Sequence, residues 1–280
     1  MIALISIDPS FGNCVGIYKA LSLRDKVVAV FKQKDEKGFH RQIPYVLGFE
    51  NIPKADHYFV VSADAYVKIK DRLSKDVTVI LTDTYFLKHS KEIDLSGCRV
   101  FCMPDLVHLC ECDYTIYYHP YEHSGEIKKS DKLTVAHSPY SRLKRITKGT
   151  IHIVDAIEDL SKEVDFYYDV ICDASWSESI ERKSKSHIFI DQLADVSNYD
   201  GTLAKSGIEA MAAECFTMTS GVGVTCDIPE PPFERIDYDN IYDKMLYFLR
   251  NNEEREHRAR EQKQWVDKYL NYKYQSEYLL

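Results

Sequence analysis

The chain contains no apolar run long enough to cross a membrane. Its start, "MIALISIDPSFG", lacks the basic region and long apolar core of a secretory signal and reads as a buried strand entering a turn. A cytoplasmic protein is the expectation. A surplus of positive charge is missing too: 36 Lys and Arg stand against 44 Asp and Glu, a net charge of −8. That excludes a protein that coats nucleic acid by charge alone, though not one with a local basic cleft. Tryptophan is scarce, two residues against 20 tyrosines, and tyrosines suit core edges where the ring is buried and the hydroxyl stays wet. Cysteine pairs at the CxxC spacing are also lacking. Four of the eight cysteines, Cys98, Cys102, Cys110 and Cys112, fall in "CRVFCMPDLVHLCEC" with His108, at a spacing that matches no standard zinc pattern. The cluster is a zinc site, or Cys98 and Cys102 share a strand face and pack as small hydrophobes. In a cytoplasmic chain these thiols stay reduced. No internal repeat relates the halves and no segment is low in complexity.

What is present is alternation. In 280 residues, 45% hydrophobic and 29% charged, there is room for one large or two medium domains. Strands are predicted at Ile2–Ile7, Lys26–Phe31, Tyr58–Val61, Val77–Leu81, Arg99–Cys102 and Thr115–Tyr118, separated by helical stretches such as "CVGIYKAL" and "ADAYVKIKDRL". Short apolar strands separated by helices give a parallel sheet covered on both faces, and such sheets bind ligands at the carboxyl ends of their strands. A polar stretch, His119 to Asp131, has no periodicity and reads as a linker. The alternation restarts at "KLTVAH" and runs through "FYYDVIC", "HIFID" and "CFTMTS". Two helical segments then close the chain, "YDNIYDKMLYFLRN" and everything from Glu253 to Leu280. The expected fold is α/β, two Rossmann-like domains with mainly parallel sheets: residues 1–122, and residues 132–280 with the final helix returning to the first domain.

Four places in the second half carry candidate chemistry. In "AHSPYSRLKRITKGT", Arg142, Lys144, Arg145 and Lys148 precede Gly149 and a helix; cations beside a helix N-terminus suit a diphosphate, and a solvated basic loop is the alternative. In "CDASWSES", Ser175 contacts a nucleobase or caps the next helix. Asp191 ends the strand "HIFID", where a turn residue is the favoured reading. "DGTLAKSGIEAMAAECFTMTSG" runs a loop of small residues into a helix. There the amides near Ser206 and Gly207 suit phosphate, and Glu209, read as lying in the first turn, suits ribose or simply the helix dipole.

The ordered set "VAHSPYSRLKRITKGT", "HIFIDQL" and "GIEAMAAECFTMTS" resembles the donor domain of glycosyltransferases with the GT-B fold, in the family's order and over about half the chain. The resemblance implies two domains facing across a cleft and transfer of a sugar from a nucleoside-diphosphate sugar to a hydroxyl. It implies that Arg142 and Lys148 hold the donor diphosphate, with no metal or other cofactor required, that Glu209 binds the ribose, and that the amides of Ser206 and Gly207 face the phosphates. Many relatives carry a second acidic residue eight positions before the ribose glutamate. Here that position is Gly201, so either Asp200 serves by a one-residue shift or the role is absent. In the first half, "DPSFGNCVGIYKAL" resembles the acceptor domain's first loop and helix, placing Gly12 and Asn13 on the acceptor side. Asp83 in "LTDTYF" is the candidate catalytic base, or else a cap of the following helix. Two acceptor classes follow from the resemblance: a saccharide or glycoconjugate, and hydroxymethylated pyrimidines in phage DNA, which would place the protein in the host cytoplasm. For DNA, "EIKKSDK" and "ERKSKSH" contact phosphates or are solvated faces. A nucleotide-binding module that kept the fold and lost the chemistry is the alternative to an enzyme.

Overall fold

The computed structural model describes residues 1–7, 13–32, 43–74, 76–82, 84–140, 148–193, 203–221 and 228–280. The chain divides into two compact units, Met1–Pro120 with Leu270–Leu280, and Tyr121–Tyr269.

The first unit is built on strands β1 (Ile2–Ser6), β2 (Val27–Phe31), β3 (Tyr45–Leu47), β4 (His57–Val61), β5 (Val77–Leu81), β6 (Arg99–Cys102) and β7 (Thr115–Ile116), with helices α1 (Asn13–Ser22), α2 (Ala63–Ile69) and α3 (Thr84–His89) between them. The strands form one sheet in the order β3-β2-β1-β4-β5-β6-β7, every pair parallel. β1 is central, and Ile2 aligns with Val27 on one side and His57 on the other. All five residues of β1 are buried, which is why it reads as an unbroken apolar run rather than an alternating one. α1 buries Cys14, Ile17, Ala20 and Leu21 against this sheet, the spacing of one helical face. Ser62 caps α2 by accepting from the Ala65 amide at 3.2 Å. α2 ends at Ile69 in a tight turn over Lys70–Arg72, earlier than the expected "ADAYVKIKDRL". The short edge strand β3, only partly buried, was not expected.

The second unit contains β8 (Thr134–Tyr140), α4 (Thr150–Leu160), β9 (Tyr167–Cys172), α5 (Trp176–Lys185), β10 (Ile188–Ile190), α6 (Lys205–Ala212), β11 (Phe216–Thr219), β12 (Glu234–Arg235), α7 (Ile241–Arg250) and α8 (Asn252–Tyr269). Its sheet has the order β12-β11-β10-β8-β9, again all parallel. The strand order reverses between β8 and β10: β9 lies on one side of β8, and the rest of the sheet on the other. α4 buries Ile153, Ala156, Ile157 and Leu160 at helical spacing. α8 turns Ala259, Gln262, Trp265 and Val266 inward. Gln262 completes a backbone edge, its amide oxygen accepting from Thr217 N at 2.7 Å and its Nε2 donating to Thr217 O at 3.0 Å.

The segment before β8 has no regular structure but is tied down. Lys129 Nζ donates to Ser186 O at 2.7 Å and to Ala213 O at 2.9 Å, and Ser130 N donates to Lys185 O at 3.0 Å. The expected closing helix is broken in two. Asn271 accepts from Tyr274 N at 2.8 Å and starts α9 (Tyr272–Leu279). α9 belongs to the first unit: Arg24 pairs with Glu277 at 2.7 Å, Tyr278 OH donates to Ile116 O at 2.8 Å, and Leu279 is fully buried.

Candidate functional site

In a doubly wound parallel sheet the crevice opens outside the carboxyl ends of the strands, where the strand order reverses. In the second unit that point lies between β8 and β10. Asp191 directly follows β10 and is fully buried. Its Oδ1 accepts from Lys148 Nζ at 3.0 Å and its Oδ2 from the Ala204 amide at 2.7 Å. One carboxylate thus binds Lys148, two residues before α4, to Ala204, the residue before α6, so both helix N-termini converge on the end of β10. Leu193 N also donates to Lys148 O at 3.0 Å, fixing the same approach through the backbone.

Two glycines make the approach feasible. Gly149, the N-cap of α4, has φ +64°, and a Cβ there would lie 1.9 Å from Leu193 O. A Cβ on Gly207 would lie 2.6 Å from Leu203 Cδ1 and 2.9 Å from Asp191 Oδ2. The group that comes close to the small residues of α6 is therefore, in this structure, Asp191 itself. Beneath the pair, buried His137 fixes the base of the site. Its Nδ1 donates to Ile190 O at 2.7 Å, so in the neutral ring Nε2 accepts from Thr150 Oγ1 at 2.9 Å. Thr150 is the first residue of α4.

Glu209 sits differently from the sequence reading. α6 begins at Lys205, so Glu209 lies in the second turn, and the first turn holds no acidic residue. Only 4% of Glu209 is exposed. Its Oε2 accepts from Lys183 Nζ at 2.6 Å; its Oε1 accepts from Lys205 Nζ at 2.9 Å and Trp176 Nε1 at 3.0 Å. Burial alone would raise its pKa, but the charges and hydrogen bonds of Lys183 and Lys205 prevail and hold the carboxyl well below the usual carboxylate range. A carboxylate has about four acceptor positions. Among the described residues three are occupied, which leaves one position for a further donor.

The N-terminal amides of α6 are partly committed as well. Gly207 N donates to Ala204 O at 2.9 Å, so it does not point outward as the sequence reading had it. The hydroxyl oxygen of Ser206 is buried and has no hydrogen-bond partner among the described residues. Ser175 caps α5, accepting from Glu178 N at 3.3 Å, at the carboxyl end of β9.

No protein-family model matches the sequence, and no curated protein does. Solved structures do match. An alpha-glucosyltransferase in complex with UDP and a 13-mer DNA containing a HMU base is similar over 99% of this chain and 98% of that one, at 10% identity and a TM-score of 0.68. The glycosyltransferase SnogD from Streptomyces nogalater covers 100% of this chain and 99% of its own at 9% identity, TM-score 0.53. The spinosyn rhamnosyltransferase SpnG complexed with thymidine diphosphate covers 100% of both at 8% identity, TM-score 0.53. The chain has the GT-B fold.

Against that fold, the expected site residues divide into three groups. Lys148, Ser206, Gly207 and Glu209 gather around the carboxyl end of β10 and the start of α6, and Ser175 stands at the end of β9. Asn13 opens α1 in the first unit. Arg142, Asp200, Asp83 and Gly12 lie outside the described residues, as do Lys144, Arg145 and Gly201. The sequence pattern pointed to no role for Trp176 or His137, offered Lys183 only as part of a basic stretch for phosphate contact, and favoured a turn role for Asp191. An Asp immediately after a three-residue apolar strand was the available signal. For Lys183, "ERKSKSH" suits phosphate contact or a solvated face, and neither points to Glu209.

The two basic stretches weighed for phosphate contact are largely engaged internally. In "EIKKSDK", Lys129 is bound to two carbonyls and Lys132 pairs with Asp165 at 2.7 Å. In "ERKSKSH", Arg182 pairs with Asp169, Lys183 with Glu209 and Lys185 with Glu181.

Proposed function

We propose that this chain is a glycosyltransferase that moves a sugar from a nucleoside-diphosphate sugar to an acceptor hydroxyl, with the diphosphate held where β8 and β10 diverge. The observation that carries this reading is the Lys148–Asp191 pair at the reversal point. Among the described residues Lys148 gives one of its three N–H donors to Asp191, and it remains 17% exposed, so two donors face an anion there. Two helix N-termini add partial positive charge at the same place. Arg142 joins Lys148 as a diphosphate ligand. Glu209 accepts one ribose hydroxyl through its remaining position, rather than both. Ser206 offers its buried hydroxyl and Ser175 its oxygen to the nucleotide; Asp200 contacts the sugar.

In the reaction, the bond from the sugar's anomeric carbon to the phosphate oxygen breaks and a bond from that carbon to the acceptor oxygen forms. The nucleoside diphosphate leaves with the electron pair, and Lys148, Arg142 and the helix termini stabilise its charge. Asp83 takes the acceptor proton, with Gly12 and Asn13 on the acceptor side. Among acceptors, a hydroxymethylated pyrimidine in DNA is favoured, because the DNA-bound alpha-glucosyltransferase matches at a TM-score of 0.68 against 0.53 for SnogD and SpnG. With most cations of the two basic stretches paired internally, such an enzyme reaches DNA through other residues.

Calorimetric titration of UDP and thymidine diphosphate into the full chain tests the donor site. Charge-assisted hydrogen bonds contribute about 1.5–3 kcal/mol, so Lys148→Ala should weaken binding by about ten- to a hundredfold. Unchanged affinity in a folded variant would move the diphosphate elsewhere.

A further inference from the structure

A pair of thiols in the first unit has a geometry that glycosyl transfer does not use. Cys102 is the last residue of β6, fully buried, and aligned with Ile116 of β7. After it the chain makes a tight turn over Pro104–Leu109, anchored by the buried side chain of Leu106, and comes back to Cys110. The return brings Cys110 Sγ to 3.2 Å from Cys102 Sγ. Cys110 is half-buried and reachable from solvent; Cys102 is not.

We propose that Cys110 and Cys102 are a peroxide-oxidisable dithiol, in which Cys110 reacts first and Cys102 resolves it to a disulfide. The Cys110 thiolate attacks one oxygen of hydrogen peroxide; the O–O bond breaks, and hydroxide leaves and takes a proton as water. Cys110 is now a sulfenic acid. Cys102 then gives up its proton and attacks the Cys110 sulfur, the S–S bond forms, the S–O bond breaks, and the hydroxyl departs with that proton as a second water. Two thiols lose two electrons and one peroxide gains them.

The neighbouring thiols make the selectivity specific. The hydrogen bond with Cys102 draws the Cys110 pKa below the ordinary thiol value, against the effect of burial. Cys112 shifts the other way, raised first by burial and then by the charge of Cys110. Cys98 Sγ is held by Tyr66 OH at 3.3 Å. The partly accessible thiol with the lowered pKa is thus the one with a second sulfur already in contact, the arrangement of an oxidation-sensitive cysteine beside its resolving partner. The disulfide would fasten the turn after β6 to the strand end, at the carboxyl edge of the first unit's sheet.

The full chain is treated with hydrogen peroxide, alkylated with N-ethylmaleimide, digested without reduction and mapped by mass spectrometry. The expected product is a Cys102–Cys110 cross-link, two hydrogens lighter than the dithiol and reversed by dithiothreitol. Cys110→Ser should leave Cys102 unoxidised because peroxide does not reach it. Cys102→Ser should accumulate Cys110 sulfenic acid that dimedone captures. If Cys102→Ser does not fold, the wild-type map and Cys110→Ser decide the matter. Cys110 recovered as a free, alkylated thiol after peroxide, or linked to Cys112 instead, overturns the proposal.

Discussion

Removing either partner of the Lys183–Glu209 pair should cost far more than removing both. Lys183 is 1% exposed and its Nζ lies 2.6 Å from a carboxylate that is itself nearly sealed from water. Breaking a buried pair by deleting one partner typically costs about 3–5 kcal/mol, because the other charge is left uncompensated. Lys183→Met leaves Glu209 with Lys205 and Trp176, so the lower end, about 3 kcal/mol, is expected. Glu209→Gln leaves the ammonium of Lys183 buried with an amide oxygen and the Phe189 ring, 5.5 Å away, in place of a carboxylate, and should cost about 4 kcal/mol. The double variant buries neither charge there, and the two losses should fall short of additivity by about 2–3 kcal/mol. The pH dependence follows with its sign. The Glu209 carboxyl is depressed in the fold from its ordinary value of 4.5, so its contribution is complete above that value and is lost as pH falls toward the lower folded value. Urea unfolding followed by circular dichroism, at neutral pH and in acid, measures all four proteins. Two single losses under about 1 kcal/mol that add within about 0.5 kcal/mol would refute the coupled buried pair.

Other outcomes follow from the same geometry. Gly149→Ala places a Cβ 1.9 Å from Leu193 O at φ +64° and should destabilise by about 1–3 kcal/mol or more, read as a lowered urea midpoint. Asn271→Ala removes the cap of α9, accepted from Tyr274 N at 2.8 Å, and should cost about 1 kcal/mol. His187 accepts from Thr134 N at 3.1 Å, and burial, then Arg255 and Lys129, push its pKa down to about 4. The unfolded chain therefore binds this proton first, so stability should decline as pH falls from the ordinary histidine value of 6.5 toward 4. His187→Gln, whose side-chain oxygen can accept the same bond, should flatten the profile across that window.

The core strands were legible because a buried parallel strand shows itself as a short unbroken apolar run: "IALIS" and "VTVIL" are buried almost throughout. The edges were not. β12 is Glu234–Arg235, with no apolar residue, and β3 is only three residues, "YVL", two of them exposed; both exist through pairing to a neighbour. The break at Leu270–Asn271 was hidden by uniform helix propensity on both sides, although Asn271 followed three residues later by a capped amide was the local sign. At the site, Lys148 and the small residues of α6 were visible as motifs. The roles of Asp191 and Lys183 depend on contacts with sequence separations of 43 and 26 residues, which no local pattern encodes.

Sugar transfer from a nucleotide donor can be measured as it happens. The most direct measurement is release of nucleoside diphosphate when the full chain is given a panel of nucleotide sugars, with duplex DNA containing hydroxymethylated pyrimidines or with saccharides as acceptor, beside the Lys148→Ala variant. Release is expected from at least one donor, raised by one acceptor class, with the sugar recovered on that acceptor and the rate falling about ten- to a hundredfold in the variant. A folded chain that neither binds nor turns over any nucleotide sugar, or one whose turnover ignores Lys148, would contradict that expectation.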